Sequence, residues 1–446
     1  MKTRRAFLKG FAALASAAQM SGHLPAHSAE TVPQAARQRP PELKIADARA
    51  DSLVEFISVQ THLNWRDGIW DQPAWRPLLG ELGVRYTRSA LGNRKARDHL
   101  LALFQNYGIR SSVTFNPINE DGTFKQDATL RTLDFMREQV GAEKIYAIEG
   151  PNEYTHKHKV GDWPGRLRSY QEFLYNAVKS DAELSAIAVL APTIWKRIVE
   201  DYEAIANMEA HADYGNLHLY NAGRRPSLFN RNERDEPIDI AIREAQIVIP
   251  GKQVCITETG FNVADGVAPT KWTIPADIAA KYTLRNVAEL FLRRDLVKRI
   301  NIYSLIDDDH PRDRYGLLDI NLKPRPAYAA LRNFIAMVAD PGPDFALNPL
   351  NCKIAAVDPN VRWLALQKRD GRFLVLLWLD AASYDRKAAA ANDVPPSPVT
   401  LDFGRSIASL KTYAPTISNA VVQELTAVSS ASLEVPDHVM VAEIVL

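Results

Sequence analysis

Short hydrophobic runs recur along residues 50–340, and amphipathic stretches separate them. Each run is five to seven residues long, which is typical of a buried strand. Between the runs, apolar residues recur at helical spacing, as in residues 167–177 and 280–291. The runs predict eight strands: Val54–Gln60, Val84–Arg88, Arg110–Phe115, Ile145–Glu149, Ile187–Ala191, Gly215–Leu219, Gln253–Thr257 and Ile300–Ser304.

The spacing of these strands indicates the fold class. Their starts lie 26 to 47 residues apart, which leaves room for one helix in each interval. Strands that alternate with helices form parallel sheets, and eight such units predict an α/β protein with a (β/α)8 TIM barrel over residues 50–340. An open doubly wound sheet is the alternative. No Gly-x-Gly-x-x-Gly follows a strand, so the sequence does not support a dinucleotide-binding domain.

The pattern changes after Asp340-Pro341-Gly342-Pro343. Two apolar runs flank Asp370-Gly371, a dipeptide that is a strong signal for a tight β-hairpin. Further short strand-like runs follow as far as residue 445. We therefore predict a C-terminal antiparallel β-sandwich domain over residues 341–446.

The N-terminus has the features of an export signal. Arg4-Arg5 precedes Phe7-Leu8-Lys9 and a short apolar run over residues 10–18. This arrangement resembles a twin-arginine-type signal peptide, which we assign to residues 1–29, with a linker over residues 30–49. The resemblance implies a periplasmic or secreted protein, and the alternative is an N-terminal helix that touches the membrane.

Composition narrows the choice of partners. The 446 residues carry a formal net charge of +1, so no general electrostatic attraction draws the chain to nucleic acid or, after signal cleavage, to a membrane. Two cysteines are too few for a disulfide framework, although one bond between Cys255 and Cys352 stays open. Composition leaves the oligomeric state undetermined.

Two glutamates stand where predicted barrel strands end. Glu153 follows strand four in Gly150-Pro151-Asn152-Glu153, and Glu258 lies in strand seven within Ile256-Thr257-Glu258-Thr259-Gly260. In a TIM barrel the C-terminal ends of the strands carry the active site, and strands four and seven face each other across the mouth. One protonated and one ionised carboxyl group, facing one pocket, can split a glycosidic bond.

These two motifs resemble those of clan A, the retaining glycoside hydrolases with (β/α)8 barrels. The resemblance covers residues 50–340 and implies a carbohydrate substrate, a β-linked oligo- or polysaccharide, with no cofactor and no metal. It implies that Glu153 is the general acid/base and Glu258 the nucleophile, and that Asn152 binds the sugar 2-hydroxyl. Many clan families carry Trp on strand eight where this chain has Tyr303, which we include as a substrate-binding candidate.

Further polar candidates lie near other strand ends. His218 and Tyr220 share one side of strand six, and we expect the Tyr220 hydroxyl to donate to Glu258. Arg88 on strand two matches the clan's arginine, which implies that it keeps Glu258 ionised. His62 follows strand one and is a candidate to bind a sugar hydroxyl. For His62, His218 and Tyr220, a purely structural role is the alternative.

Five tryptophans, Trp70 among them, follow predicted strands on the same face as the glutamates, and four of them are candidates to bind substrate. Sugars present flat C–H faces that stack on aromatic rings, so we expect these side chains to bind substrate. Core packing is the alternative for each of them. The four are Trp65, Trp163, Trp195 and Trp272.

Competing assignments remain at this stage. Glu149 also ends strand four, but it should lie deeper and serve as a buried partner for an arginine. The acidic triplet 307–309 reads as a solvated loop. A non-catalytic carbohydrate-binding protein on a degenerate barrel is the main functional alternative. A metal-dependent hydrolase, with ligands among His156, His158 and His218, is the other.

Overall fold

A computed structural model describes residues 42–65, 68–266, 268–308 and 313–446 of the chain. The signal peptide predicted over residues 1–29 lies outside the described residues, and so does the linker predicted up to residue 41. Within the described ranges, no helix combines the length and the apolar character needed to cross a membrane.

Eight parallel strands form the near-closed barrel that the sequence predicts. Neighbours in the sheet follow chain order, and a bridge between Leu190 and Tyr214 joins its two outer strands. Two short strands precede the barrel, β1 (Glu42–Ile45) and β2 (Ala48–Arg49). The barrel region then contains β3 (Ile57–Gln60), β4 (Tyr86–Ala90), β5 (Arg110–Thr114), β6 (Ile145–Glu149), β7 (Ala188–Leu190), β8 (Gly215–His218), the hairpin β9 (Leu228–Arg231) and β10 (Arg234–Pro237), β11 (Val254–Thr259) and β12 (Val297–Ile302).

Helices cover the outside of the barrel, and local sequence signals set several of their ends. The Asn93 side chain accepts a hydrogen bond from the backbone N–H of Ala96 at the start of α3, and Gly108 ends that helix with a φ of 67°. The α-helices are α1 (Ala50–Phe56), α2 (Trp75–Leu82), α3 (Arg94–Tyr107), α4 (Gln126–Gln139), α5 (Thr155–His158), α6 (Trp163–Lys179), α7 (Val199–Ala204), α8 (Ile238–Val248), α9 (Ala276–Phe291) and α10 (Pro326–Val338).

The first predicted strand is wrong at three of its seven residues, which belong to a helix. Residues predicted as Val54–Gln60 divide between the end of α1 and the four-residue strand β3. Leu53, Val54 and Ile57 have the spacing of one helical face, and periodicity alone does not separate a short buried helix from a strand. The other seven strands lie within three residues of the predicted positions, and the β9–β10 hairpin was not predicted.

The C-terminal region is a β domain with mostly antiparallel pairing, as predicted. Its strands form one sheet in the order β1-β13-β18-β20-β15-β14-β2, with β19 on the free edge of β18. The C-terminal strands are β13 (Pro349–Ala356), β14 (Val361–Gln367), β15 (Phe373–Leu379), β16 (Tyr384–Asp385), β17 (Ala390–Ala391), β18 (Ser397–Ala414), β19 (Ser418–Val435) and β20 (Met440–Val445).

The predicted linker over residues 30–49 is wrong at its C-terminal end. Strand β1 pairs antiparallel with β13, and β2 pairs parallel with β14. The segment before the barrel is therefore part of the C-terminal sheet. Partners that are about 300 residues apart in the chain give no local sequence signal.

Alternate residues of β15 serve two hydrophobic cores. Phe373, Val375 and Leu377 pack inside the β domain, whereas Leu374 and Leu376 pack with the barrel helices. Because successive side chains of a strand point to opposite faces, an uninterrupted apolar run is the pattern expected for a strand buried on both sides.

A buried charge network also joins the two domains. Arg285 of α9 is fully buried, and its Nη2 donates to Asp380 Oδ1 at 2.9 Å. The two cysteines, by contrast, do not pair: Cys255 and Cys352 are both buried and free, and they pack in separate clusters.

Candidate active site

The two predicted catalytic glutamates converge at the mouth of the barrel. Glu153, Glu258 and His218 each place a side-chain O or N atom within 4.8 Å of the others. His218 Nδ1 lies 2.9 Å from Glu153 Oε1 and 3.4 Å from Glu258 Oε2. The Glu153 and Glu258 side chains are 29% and 13% exposed, so both are partly open to solvent. Two carboxyl groups from distant parts of the chain thus share one pocket.

Two hydrogen-bond donors bind the Glu258 carboxylate. Arg88 Nη1 donates to Oε1, and the Tyr220 hydroxyl donates to Oε2, each at 2.8 Å. Both contacts agree with what the resemblance to clan A implied for these residues. A cation and a hydroxyl donor favour the charged form of a carboxyl group, which suits an anionic nucleophile. Burial, with the nearby Glu258 charge, raises the pKa of Tyr220 well above its usual value, so its hydroxyl keeps its proton.

Arg88 is the centre of a wider network. Besides Glu258, it donates to Glu149 Oε2 at 2.8 Å, to Asn152 Oδ1 at 2.7 Å and to Gln60 Oε1 at 3.1 Å. Glu149 is fully buried and is therefore the arginine partner that the sequence predicted, not a second reacting carboxylate. Because the Asn152 oxygen binds Arg88, its amide NH2 is the group left to donate to a sugar hydroxyl.

An uncommon backbone conformation presents the Glu153 side chain. Its φ is 46°, in the left-handed region that residues other than glycine rarely adopt. The Glu153 N–H donates to Thr193 Oγ1 at 2.7 Å, and the Asn152 N–H donates to Asn116 Oδ1 at 2.8 Å. Side chains from two neighbouring loops therefore hold the turn in place, as is common at functional sites.

Opposing effects set the pKa of Glu153. Burial alone would raise the pKa, but the hydrogen bond with His218 and nearby positive charge outweigh it, so the net pKa lies below the usual value. In the free protein, Glu153 is consequently ionised near neutral pH. Any role as an acid needs a change that raises its proton affinity.

Aromatic side chains cluster around His62. His62 stacks on Trp65, with ring centroids 3.9 Å apart, and meets Tyr303 edge to face at 5.7 Å. Burial lowers the pKa of His62 to about 3, so the ring is neutral at ordinary pH. Its Nε2 atom is buried and has no hydrogen-bond partner among the described residues. A sugar hydroxyl would satisfy it, as the sequence-based prediction for His62 requires.

The predicted tryptophans divide into two groups. Trp65 and Trp272 are 37% and 39% exposed, and Trp195 is partly exposed beside His156, with ring centroids 4.3 Å apart. Trp163 instead packs in the hydrophobic core at 7% exposure. It begins helix α6, whose inner face it joins, so we remove it from the set that can stack on a sugar.

Sequence reasoning missed Tyr315 and misread the acidic triplet. Tyr315 lies 5.4 Å from Tyr220 and 5.8 Å from Tyr303, measured between ring centroids, and completes an aromatic wall. It comes from a loop, where no periodicity places a residue. Asp307, assigned to a solvated loop, is buried and binds Arg325 at 2.6 Å, and Asp308 accepts from the Tyr303 hydroxyl at 3.2 Å.

The three predicted metal-ligand candidates do not come together. His156 packs on Trp195 and His158 packs beside Tyr154, whereas His218 joins the glutamates. Two carboxylates and one imidazole are nevertheless a donor set that a divalent cation could use.

A (β/α)8 barrel with a β domain and with these polar groups at its mouth has the fold of the clan A glycoside hydrolases. No protein-family model and no curated protein matches the sequence. Solved structures do match, at 11–14% identity. Identities this low show a shared fold and leave the activity open.

Three of the matching structures illustrate the likeness. A family 39 glycoside hydrolase from Bacteroides cellulosilyticus WH2 is 13% identical, with a TM-score of 0.61 over 89% of this chain and 81% of its own. A GH51 arabinofuranosidase from Xanthomonas axonopodis pv. citri is 13% identical, with a TM-score of 0.55 over 90% and 98%. A GH30 endoxylanase from Clostridium papyrosolvens C71 is 14% identical, with a TM-score of 0.54 over 90% and 97%.

Proposed function

We propose that the protein is a retaining glycoside hydrolase that cleaves β-linked glycosidic bonds in an oligo- or polysaccharide. The observation that carries the proposal is the convergence of Glu153 and Glu258 within 4.8 Å, measured between their closest side-chain oxygens. Retaining enzymes hold their two carboxyl groups about 5–5.5 Å apart, whereas inverting enzymes need about 6.5–9.5 Å to admit a water molecule. The short separation supports retention.

In the first step, Glu153 protonates the leaving oxygen while Glu258 attacks the anomeric carbon. The glycosidic C–O bond breaks, and a covalent bond forms between that carbon and a Glu258 oxygen. Arg88 and Tyr220 hold the Glu258 carboxylate in position through their hydrogen bonds until it attacks. The Asn152 amide and the His62 ring are placed to bind sugar hydroxyls during this step.

The protonation of Glu153 follows from the same geometry. A bound sugar displaces water from the pocket, and loss of water disfavours the ionised carboxyl group. Glu258 remains anionic at this stage, so the nearby negative charge also favours a proton on Glu153. Once Glu258 is esterified, that charge is gone and the proton affinity of Glu153 falls. Glu153 then accepts a proton from water, which attacks the glycosyl-enzyme and releases the sugar.

The most direct test replaces the nucleophile. Glu258→Gln should abolish turnover, and sodium azide should restore activity to Glu258→Gly by entering the vacated space. The azide product, analysed by NMR, should have the opposite anomeric configuration to the substrate. Glu200→Gln, an exposed glutamate on α7, is the matched control and should behave as the parent enzyme. Unchanged hydrolysis by Glu258→Gln contradicts the assignment.

The carbohydrate-binding alternative differs from this proposal in a measurable way. A degenerate barrel should bind the same glycans without releasing reducing sugar, whatever residue occupies position 258. A panel of plant and bacterial polysaccharides with product analysis separates the two and also identifies the sugar and the linkage.

A metal-dependent hydrolase is supported by one observation, the donor set of Glu153, His218 and Glu258. It predicts that EDTA abolishes activity and that a divalent cation restores it. The retaining mechanism predicts full activity in EDTA, because its acid and nucleophile are side chains.

We also propose that the enzyme works in the periplasm or outside the cell, on the strength of the twin-arginine-type N-terminus. Arg4→Lys with Arg5→Lys should keep the full-length chain in the cytoplasm. Cell fractionation that finds the variant exported normally would contradict this assignment.

A further inference from the structure

A second, positively charged groove lies between the two domains on the side of strand β8. It has a volume of about 430 Å³ and combines the loop after β8 with the 382–392 segment of the β domain. Four cationic side chains line it, together with Asp235, Asp385 and several uncharged residues. The four cations are Arg224, Arg225, Arg386 and Lys387.

The carboxylates around the groove are shared among its cations, and few of them make a close hydrogen bond to a guanidinium group. Asp235 lies 2.5 Å from Arg224 Nε and 3.7 Å from Arg386 Nη1, so two guanidinium groups share one carboxylate. Asp385 accepts hydrogen bonds from the backbone N–H groups of Lys387 and Ala388 within its own turn. Two further carboxylates offset part of the charge without a direct hydrogen bond, since Glu233 lies 3.9 Å from Arg386 Nη2 and Asp380 Oδ2 lies 3.9 Å from Arg225 Nε. Arg225 Nη1 donates to the Asp380 carbonyl at 2.6 Å.

Two guanidinium nitrogens in the groove are buried donors without acceptors. Arg224 Nη2 and Arg225 Nε have no hydrogen-bond partner among the described residues, and the Arg224 side chain is only 1% exposed. A buried charged donor without a hydrogen-bond partner costs free energy. A planar guanidinium group suits an oxyanion that can accept two parallel hydrogen bonds. Burial and the charge of Arg224 also lower the pKa of Arg386, a sign of crowded positive charge.

The groove lies close to the proposed active site. Tyr220, which binds Glu258, is four residues before Arg224, so their Cα atoms are at most about 14 Å apart. Arg386 Nε donates to the Lys271 carbonyl at 3.0 Å, and Arg386 lies 5.7 Å from the ring centroid of the exposed Trp272. An aromatic surface that can stack on a sugar therefore adjoins the basic groove.

We propose that this groove binds an oxyanion carried by the glycan, either a uronate carboxylate or a sulfate or phosphate ester. The substrate is then an acidic polysaccharide, with its charged unit in the groove and another unit between Glu153 and Glu258. This inference rests on the proposed function, which it narrows to one substrate class. Arg224 and Arg225 supply buried donors, and Arg386 and Lys387 add charge at the rim.

Equilibrium binding tests the inference without turnover. The full-length protein is titrated calorimetrically with size-matched β-1,4-linked polymannuronate and its carboxyl-reduced neutral form, and with cellulose sulfate and hydroxyethyl cellulose, a soluble neutral β-glucan. We expect one or both anionic polymers to bind at least about tenfold more tightly than their neutral partners. The Arg386→Ala/Lys387→Ala variant should lose that preference. Lys353→Ala/Arg405→Ala, which removes two exposed cations from the β domain, should keep it.

The outcomes decide the inference either way. Preference for polymannuronate alone supports a uronate, and preference for cellulose sulfate alone supports an ester. Equal binding by the parent, groove and control proteins, or equal binding of charged and neutral polymers, overturns the inference. If the double variant fails to fold, Lys387→Glu, at an exposed position, replaces it. This variant should bind the anionic polymers more weakly and the neutral polymers as the parent does. Because this experiment measures binding and not catalysis, a negative result would not affect the azide test of Glu258.

Discussion

Two buried arginines, one in each of two charged networks, invite comparison. Arg88 at the barrel mouth is 3% exposed, and Arg285 at the domain interface is fully buried. Each donates to a buried carboxylate, Glu149 for Arg88 and Asp380 for Arg285. Their remaining partners differ. Among the described residues, the hydrogen bonds of the Arg285 guanidinium group go to the β domain. Arg88 also binds Glu258 and Asn152, which water can reach.

The comparison shows how a structural ion pair differs from a reactive one. In the interface network, the carboxylate that Arg285 binds is itself buried, at 2% exposure for Asp380. The network at the mouth uses one carboxylate, Glu149, to fix the guanidinium group, and that group then holds a second carboxylate that faces the pocket. Burial of an ion pair is therefore not itself a sign of function, and the partly exposed partner is the informative one.

The largest effect should come from Arg88→Met. It leaves Glu149 buried without its cation, which we expect to lower the free energy of unfolding by about 3–5 kcal/mol. It also removes an electrostatic partner of Glu258, the proposed nucleophile, so kcat/KM should fall by about 10²–10³-fold. Adding Glu149→Gln should recover stability in urea unfolding but not activity. Recovery of both would make Arg88 a structural residue only.

The interface arginine should affect stability alone. Arg285→Met removes the nearest cation from Asp380, which keeps only the more distant Arg225 and Arg362 at 3.9 and 4.0 Å. The expected loss in the free energy of unfolding is at most about 3–5 kcal/mol. Asp380→Asn in the same chain should return part of that loss. The kcat/KM value per folded molecule should match the parent in both variants. A tenfold drop at a temperature where the variant is folded would show that the two networks are coupled.

A smaller effect, on pH dependence, sharpens the comparison. His218 lowers the pKa of Glu153, so in His218→Asn the pKa should rise. Because the acid must be protonated, the basic limb of the kcat/KM–pH profile should move to higher pH, along with a loss of rate. His211→Asn, at a partly exposed surface position, is the control and should leave the profile in place. A basic limb that stays, or moves to lower pH, contradicts the role given to His218.

The sequence was sufficient to predict the barrel and the polar centre of its mouth. Strand β6 begins and ends at the predicted residues, because a charged residue precedes it and Gly150-Pro151 follows. The alternation of strand side chains placed His218 and Tyr220 together. The greater depth of Glu149 on its strand predicted its pairing with an arginine. These inferences use only local periodicity and the symmetry of a barrel.

The remaining features depend on contacts that local patterns do not encode. Strands β1 and β2 exist because they pair with strands more than 300 residues away. Thr193 and Tyr315 reach the site from loops, whose paths depend on packing across the whole barrel. Trp163 follows a strand as expected, but it is the first residue of helix α6 and its ring packs in the core. The basic groove also combines residues from two domains.

Covalent trapping tests the central claim most directly. A panel of 2-deoxy-2-fluoro β-glycosides with a good leaving group slows the second step more than the first, so a glycosyl-enzyme should accumulate. Mass spectrometry of the digested protein should then find one sugar attached to the peptide that contains Glu258, and none in Glu258→Gln. A sugar attached to Glu153 or to another residue, or hydrolysis by the Glu258→Gln variant at the parent rate, would contradict the account.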